Sequence, residues 1–210
     1  MELPNCELCK EVSDNYAHKG VNRIIKRTEN FCAFVSMGPL ALGHLLITTK
    51  KHYLSIANIP KEHFDEFRLL REDLGTRLTA AFHFPQTILF EHGSSQYDST
   101  AGSCISHAHM HIMPARLLSQ RAVRKIKENL GDYKTFESYQ DLSNLADEEV
   151  AYTFFEFDGI KYFFEIKKQI PSQFVRQIIG KYVGREYTWD WRKNPRTEDI
   201  IETVERLKKN

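Results

Sequence analysis

The stretch Ile105-Ser106-His107-Ala108-His109-Met110-His111-Ile112-Met113 decides how the rest of the chain is read. Its histidines alternate with other residues, the pattern of a strand, and along a strand the side chains at i, i+2 and i+4 share one face with a step of about 6.6–6.8 Å. His107, His109 and His111 are therefore predicted to line one surface. Three imidazoles side by side, with apolar Ile105, Met110 and Ile112 nearby, are poor packing material, because each ring brings polar atoms that need partners once buried. The cluster points to chemistry, whereas the lone His18, His63 and His83 read as surface or satisfied core. Two chemistries fit. Alternate histidines on a strand can chelate a catalytic metal, although no histidine follows His111 to complete a multi-metal site. Alternatively the central imidazole, neutral near pH 7, is a nucleophile toward phosphorus, with its neighbours holding its orientation and binding the non-bridging oxygens.

Upstream of this stretch, residues 23–27 and 31–35 read as strands joined by the tight turn Thr28-Glu29-Asn30, and residues 43–49 as a third strand. Apolar Phe64, Phe67, Leu70, Leu74, Leu78 and Ala81 recur every three or four residues between Pro60 and Phe82. That spacing predicts an amphipathic helix, with Pro60 suited to its first turn. Residues 87–90 read as a strand, 92–102 as a polar loop and 105–113 as the histidine strand. Five short strands with local connections predict an α+β fold, a mostly antiparallel sheet covered by helix on one side.

Beyond Pro114, residues 123–130 look helical and 131–147 loop-like. Residues 152–157 and 160–166 flank Asp158-Gly159, a strong type I′ hairpin signal. Ser172 is suited to cap a helix carrying Phe174, Val175, Ile178 and Ile179, and Thr197 another carrying Ile200, Ile201, Val204 and Leu207. No flexible linker, repeat or low-complexity run sets this part off, so it is expected to pack on the first unit as an extension.

The 210 residues fit one domain with an appendage. With 29 basic and 28 acidic residues the net charge is +1, which offers no global argument for nucleic acid or an anionic membrane. Any anion site must be local. Met1-Glu2-Leu3-Pro4-Asn5-Cys6 lacks a signal-peptide pattern and no apolar run approaches the roughly 18 residues of a membrane span, so a soluble, cytoplasmic protein is expected. In that setting the four cysteines Cys6, Cys9, Cys32 and Cys104 read as thiols or metal ligands rather than disulfides.

The stretch His107-Ala108-His109-Met110-His111-Ile112-Met113 resembles the His-φ-His-φ-His-φ-φ signature, φ being apolar, of the histidine-triad (HIT) superfamily. Pro39, Gly43-His44 and Lys50-Lys51-His52 follow in the order of that family's segment of Pro, Gly-His and Lys-x-His. The likeness covers roughly residues 6–116. It implies a HIT-like catalytic domain over 1–116, with a sheet of about five strands, and an α+β extension of hairpin and helices over 117–210. It further implies that His109 attacks the α-phosphorus of a nucleotide-like substrate to give a covalent intermediate that water resolves, with His111 and His44 beside it. Relatives with transferase or phosphorylase activity usually carry Gln at the third triad position, so His111 favours hydrolysis. The family's phosphate-binding Gly-x-Ser reads Gly102-Ser103-Cys104 in this chain, where Ser103 and the amide of Cys104 would contact phosphate. Its ribose-binding Asp or Asn is Ser36, which cannot supply a carboxylate's two charged acceptors. Its Asn-x-Gly is Glu91-His92-Gly93, and these departures weigh against an ordinary adenosine substrate.

Cys6-Glu7-Leu8-Cys9 alone is a weak signal. Some HIT enzymes complete a structural zinc site from such a pair with the positions that are His52 and His107 in this chain, a Cys2His2 set suited to Zn²⁺. The resemblance also offers a two-fold homodimer formed by joining sheets as an analogy. In the extension, Gln173-Phe174-Val175-Arg176-Gln177 and Trp189-Asp190-Trp191-Arg192 are distantly similar to the C-terminal parts of CwfJ-like relatives associated with RNA processing, which leaves a nucleic-acid role possible but not favoured. Their aromatics read as core rather than a base-stacking platform. Lys125, Lys127, Arg176, Lys181, Arg185 and Arg192 read as solvated surface rather than phosphate ligands. The leading expectation is thus a zinc-containing HIT-type hydrolase of a nucleoside 5′-phosphate derivative, a dinucleoside polyphosphate or a phosphoramidate. A nucleotidyltransferase or phosphorylase, or an RNA-associated binding module, is the alternative.

Overall fold

The computed structural model describes residues 5–13, 17, 20–93, 105–115, 119–146 and 150–209. Among these, eight strands form one antiparallel sheet in the order β1-β2-β3-β5-β4-β7-β8-β6. The strands are β1 (Ile24–Arg27), β2 (Phe31–Val35), β3 (Leu45–Thr49), β4 (Gln86–Gly93), β5 (His109–Ala115), β6 (Lys134–Phe136), β7 (Tyr152–Phe157) and β8 (Ile160–Glu165). The first five are the expected strands and the fold is α+β as expected. The count rises to eight because β7 pairs along β4, Leu89 to Gly93 against Glu156 to Tyr152, so the hairpin continues the sheet instead of packing on it. Asp158 and Gly159 both have positive φ, as the type I′ turn requires. The loop expected over 131–147 instead holds β6, which pairs with β8, a 3-10 turn at Tyr139–Leu142 and a short helix. Its polar, half-exposed sequence hides the strand, since an edge pairing needs only backbone.

Helices cover both faces, not one. They are α1 (Glu7–Glu11), α2 (Phe64–Phe82), α3 (Ser119–Leu130), α4 (Ser143–Ala146), α5 (Phe174–Tyr182) and α6 (Thr197–Lys209). On the first face, Ala33, Ile47, Leu89, Met110, Ile112 and Phe154 meet Phe67, Leu74 and Leu78 of α2 and Ile200, Val204 and Leu207 of α6. On the second, Phe90, Met113, Phe155 and Phe164 meet Val123 and Ile126 of α3 and Val175, Ile178 and Ile179 of α5. At the other end of that face, Leu8 and Val12 pack on Cys32, Phe34 and Leu46. The alternation of β5, with Ala108 just before it, therefore sends Ala108, Met110 and Ile112 into one core and leaves His109 and His111 on the second face, between α1 and α5. Among the described residues no helix is long and apolar enough to cross a membrane.

The seam between β4 and β7 is tight. A Cβ on Gly93 would come within 2.0 Å of the Tyr152 ring, and that ring is buried with its hydroxyl donating to Glu91 Oε2 at 2.6 Å. Gly93→Ala is expected to lower the unfolding free energy by about 1–3 kcal/mol, the usual range for overpacking, in a denaturant titration. An unchanged midpoint would show that the seam yields.

Candidate active site and metal-binding cluster

Four imidazoles meet on the second face, and their hydrogen bonds fix which nitrogen carries each proton. His109 Nδ1 lies 2.6 Å from the carbonyl oxygen of His107. A carbonyl only accepts, so Nδ1 holds the proton and Nε2 keeps its lone pair on a ring that lines the pocket. Leu40 N–H donates to His44 Nδ1 at 3.1 Å, which puts the His44 proton on Nε2, 2.9 Å from His111 Nδ1. His111 in turn carries its proton on Nε2. Its ring is stacked on Phe90 at a centroid distance of 4.3 Å and lines the same pocket. The fourth ring is His92, whose Nε2 accepts from Val175 N–H at 3.1 Å, so that its Nδ1 is the donor.

The first triad histidine does something else. Strand β5 begins at His109, later than the expected 105, and the buried His107 just before it turns its ring to the N-terminal segment. Its Nδ1 lies 3.3 Å from Cys6 Sγ and 3.5 Å from Cys9 Sγ, and Cys9 Sγ lies 3.4 Å from His52 Nδ1. The ligand atoms of Cys6, Cys9, His52 and His107 all fall within 4.8 Å of one another, a set that could hold a metal ion. His107 Nε2–H donates to Thr49 O at 2.8 Å, the outer bond that directs a histidine's other nitrogen toward a metal. Cys32, buried in the core, takes no part in the cluster.

The pocket between the two ends of the face is lined by Glu7, Leu8 and Glu11 of α1, by Ser36 and Met37 after β2, and by Leu46 of β3. His92, Ile105, His109 and His111 form its floor, and Gln173, Arg176 and Trp191 close it from the extension. Of the residues expected in the site, His109, His111 and Ser36 line the pocket, His44 supports His111 from behind, and Cys6, Cys9, His52 and His107 gather beside it. Gly102, Ser103 and Cys104 lie outside the described residues. Glu7, Leu8, Glu11, His92 and the three extension residues were not legible as site residues. Only the departure at His92 carried a local signal. Arg176, expected on the surface, is 2% exposed, because its Nε and Nη2 donate to the carbonyl of Trp189 at 3.1 and 3.0 Å and Nη2 also to that of Gly38. Gly38 is the clasp: its φ is +54°, and a Cβ there would sit 2.6 Å from Asn194 O and Trp191 Cα.

Residues 19–118 match the family model of the HIT domain. The chain carries a HIT domain. Comparison with curated proteins finds no match. Among solved structures, the chain is similar to a hypothetical histidine triad nucleotide-binding protein from Sulfolobus tokodaii, at 20% identity over 69% of this chain and 91% of the other, TM-score 0.46. It is also similar to a Zn-bound histidine triad family protein from Mycobacterium smegmatis, at 18% identity over 69% and 92%, TM-score 0.45. A HIT family hydrolase from Clostridium thermocellum is 19% identical over 55% and 95%, TM-score 0.43. At such identity a likeness of fold leaves substrate to be argued from the site.

The imidazoles of this HIT domain are held neutral. Burial keeps His44 and His111 well below the usual imidazole range, reinforced for His44 by the charge of Arg176 and for His111 chiefly by its histidine neighbours. His92 is lowered to about 3 by burial, then by His109 and Arg176. On the opposite face burial pushes Glu91 up to about 7, against the bonds it accepts from Tyr152 and Ile56. A histidine lowered on folding loses stability as pH falls from 6.5 toward its folded value, since the unfolded chain takes up a proton the fold refuses. Glu91, raised on folding, loses stability in the other direction, as pH climbs from 4.5 to about 7. Between those limits His44, His92 and His111 oppose two carboxylates, Glu91 and Glu11, the latter also raised by burial, each group at up to about 1.4 kcal/mol per pH unit, so the histidines prevail. The unfolding free energy is expected to fall as pH drops from 6.5 to 4.5, and His92→Asn to make the decline shallower in denaturant titrations at several pH values. A flat profile would show solvated or charged rings.

Proposed function

We propose that the protein is a HIT-type hydrolase that cleaves a nucleoside 5′-phosphate derivative through a covalent intermediate on His109. The observation that carries this reading is the 2.6 Å bond from His109 Nδ1–H to the His107 carbonyl, which leaves Nε2 neutral and nucleophilic at the wall of a pocket. In the first half-reaction Nε2 forms a bond to the α-phosphorus while the bond from phosphorus to the leaving group breaks, and the leaving group departs with the electron pair and gains a proton. In the second, a water oxygen attacks phosphorus, the phosphorus–nitrogen bond breaks, and its electron pair returns to Nε2. Water supplies the hydroxyl of the nucleotide product and, over the cycle, the proton of the leaving group. The relay Leu40 N–H to His44 to His111 makes His111 Nε2–H a donor for a non-bridging oxygen. Ser36, buried at the pocket edge, is suited to one ribose hydroxyl.

The Cys6, Cys9, His52 and His107 cluster is read as a structural zinc site. Tetrahedral Zn²⁺ with Zn–S near 2.3 Å and Zn–N near 2.0–2.1 Å requires sulfur–nitrogen edges of about 3.5 Å, and the three edges measured between Sγ and Nδ1 are 3.3, 3.4 and 3.5 Å. The set fits the ion, which would tie the N-terminal segment to the strand beside the nucleophile and leave His109 uncoordinated. A homodimer made by joining sheets would have the short edge strands β1 and β6 to use, because β4 is paired with β7.

His109→Ala is expected to cost about 10³-fold or more in turnover of nucleotide derivatives with the fold retained, and mass spectrometry of acid-free quenched reactions to find the nucleotidyl adduct on the peptide holding His109. An adduct on another residue, or full activity of the variant, would sink the reading. Protein prepared without chelators is expected to carry about one zinc per chain, and Cys9→Ser to carry none and melt earlier. Absence of stoichiometric metal in the unaltered protein removes the zinc assignment without touching the chemistry.

A further inference from the structure

The pocket is electrically lopsided. At the α1 end, Leu8, Leu46 and Ile105 form an apolar patch, and the carboxylates of Glu7 and Glu11 stand beside it, Glu11 paired with Arg23. At the α5 end stand Arg176, Gln173 and the Nδ1–H of His92. His109 and His111 lie between them on β5. Arg23 offsets Glu11, so Glu7 alone makes the first end negative; a phosphate chain is better received by the second end, whereas a nucleoside, uncharged and largely apolar, suits the first.

We infer that the group leaving His109-bound phosphorus is itself a phosphate, held at the α5 end by Arg176 of the C-terminal extension. This rests on the hydrolase reading and chooses between its substrate classes, favouring two or more linked phosphates over a phosphoramidate, whose amine leaving group is neutral or cationic. The argument is one of charge and position. The triad supplies one neutral donor, His111 Nε2–H, for a non-bridging oxygen of the reacting phosphate. A guanidinium stays charged at every working pH, so its charge acts on a nearby phosphate whatever the state of the imidazoles. Arg176 is buried, lines the pocket, and has Nε and Nη2 anchored to the neutral carbonyls of Trp189 and Gly38. Its orientation is therefore set before substrate arrives. Charge that grows on a departing phosphate oxygen is stabilised by such a fixed cation more than the ground state is. His92 adds a second donor on the same wall, its tautomer fixed by Val175, the residue before Arg176.

The experiment compares the intact protein with Arg176→Met and Arg176→Lys on two substrates sharing one nucleoside, a dinucleoside tetraphosphate and a nucleoside 5′-phosphoramidate. Arg176→Met is expected to lose about 10²- to 10³-fold in kcat/KM on the tetraphosphate, mostly in kcat, and under about fivefold on the phosphoramidate. Arg176→Lys, which keeps the charge without the double anchoring to Trp189 and Gly38, should recover about tenfold of the tetraphosphate loss. It also serves as the test should the methionine variant fail to fold: a loss confined to the tetraphosphate supports the inference, and equal losses on both substrates overturn it. Inorganic pyrophosphate should inhibit the unaltered protein competitively, and more strongly than orthophosphate. Cleavage of the phosphoramidate with no cleavage of the tetraphosphate, or tetraphosphate turnover indifferent to Arg176, overturns the inference and leaves the hydrolase reading standing. No turnover of either substrate by the unaltered protein defeats the hydrolase reading itself.

Discussion

One residue joins the two halves of the site. His107 offers its carbonyl to His109 Nδ1–H, donates Nε2–H to Thr49 O, and turns Nδ1 to the two cysteine sulfurs. Each bond constrains another. With Nε2 committed to β3, only Nδ1 can face the cluster, and with the peptide held in that posture its carbonyl points along the strand to the next imidazole on the face. The tautomer of His109, and with it the lone pair on Nε2, thus follows from backbone geometry one turn of the pleat away. A carboxylate in place of that carbonyl would favour imidazolium and remove the lone pair's independence of pH. The neutral acceptor leaves the ring a lone pair for the attack proposed for it, and burial keeps the ring from being protonated.

The second face could not remain open around these rings. Buried imidazoles need walls that exclude water and partners that satisfy nitrogen, and a five-stranded sheet with one helix supplies neither. The C-terminal residues provide both. Strand β7 takes the edge of β4, setting Phe155 beside Phe90, the ring stacked on His111. Helix α5 then crosses above, where Val175 N–H satisfies His92 and Arg176 reaches the loop that carries Gly38. Gly38 accepts that clasp because it has no Cβ, and its own N–H donates to Pro195 O at 3.0 Å. The extension is therefore structural and electrostatic at once: the contacts that seal the pocket also place its permanent positive charge.

What could be read in the sequence was what is local. Period-two alternation in 107–113, period 3.6 in 64–81 and the Asp158-Gly159 turn each specify a conformation within a few residues, and each is found, the strand starting at His109. The grouping of Cys6 and Cys9 with His52 and His107 came from family likeness, since nothing in a Cys-x-x-Cys pair names its distant partners. Pairing of β7 with β4 spans some sixty residues and leaves no mark on either strand beyond aromatic content. Arg176 was invisible for a related reason. Its neighbours Val175 and Ile178 declare a buried face, but whether the arginine beside them meets solvent or backbone carbonyls depends on Trp189 and Gly38, the latter far upstream. Lys125 and Lys127, which looked alike in sequence, sit at the surface paired with Glu128 and Asp132.

The electrostatics of the pocket divide two tasks that a single residue cannot perform. A nucleophile must be neutral to keep its lone pair, whereas an anion needs positive charge to enter a buried space. Were the charge to come from the imidazoles, binding and attack would compete for the same proton. Here the relay from Leu40 through His44 and His111 transmits hydrogen-bond polarity without net charge, and the guanidinium supplies charge without a titratable proton. The cation also lowers the proton affinity of each ring near it, His44, His92, His109 and His111 alike. The arginine proposed to hold an anionic leaving group is thereby also a reason the proposed nucleophile stays unprotonated, so the two requirements reinforce each other instead of being traded off.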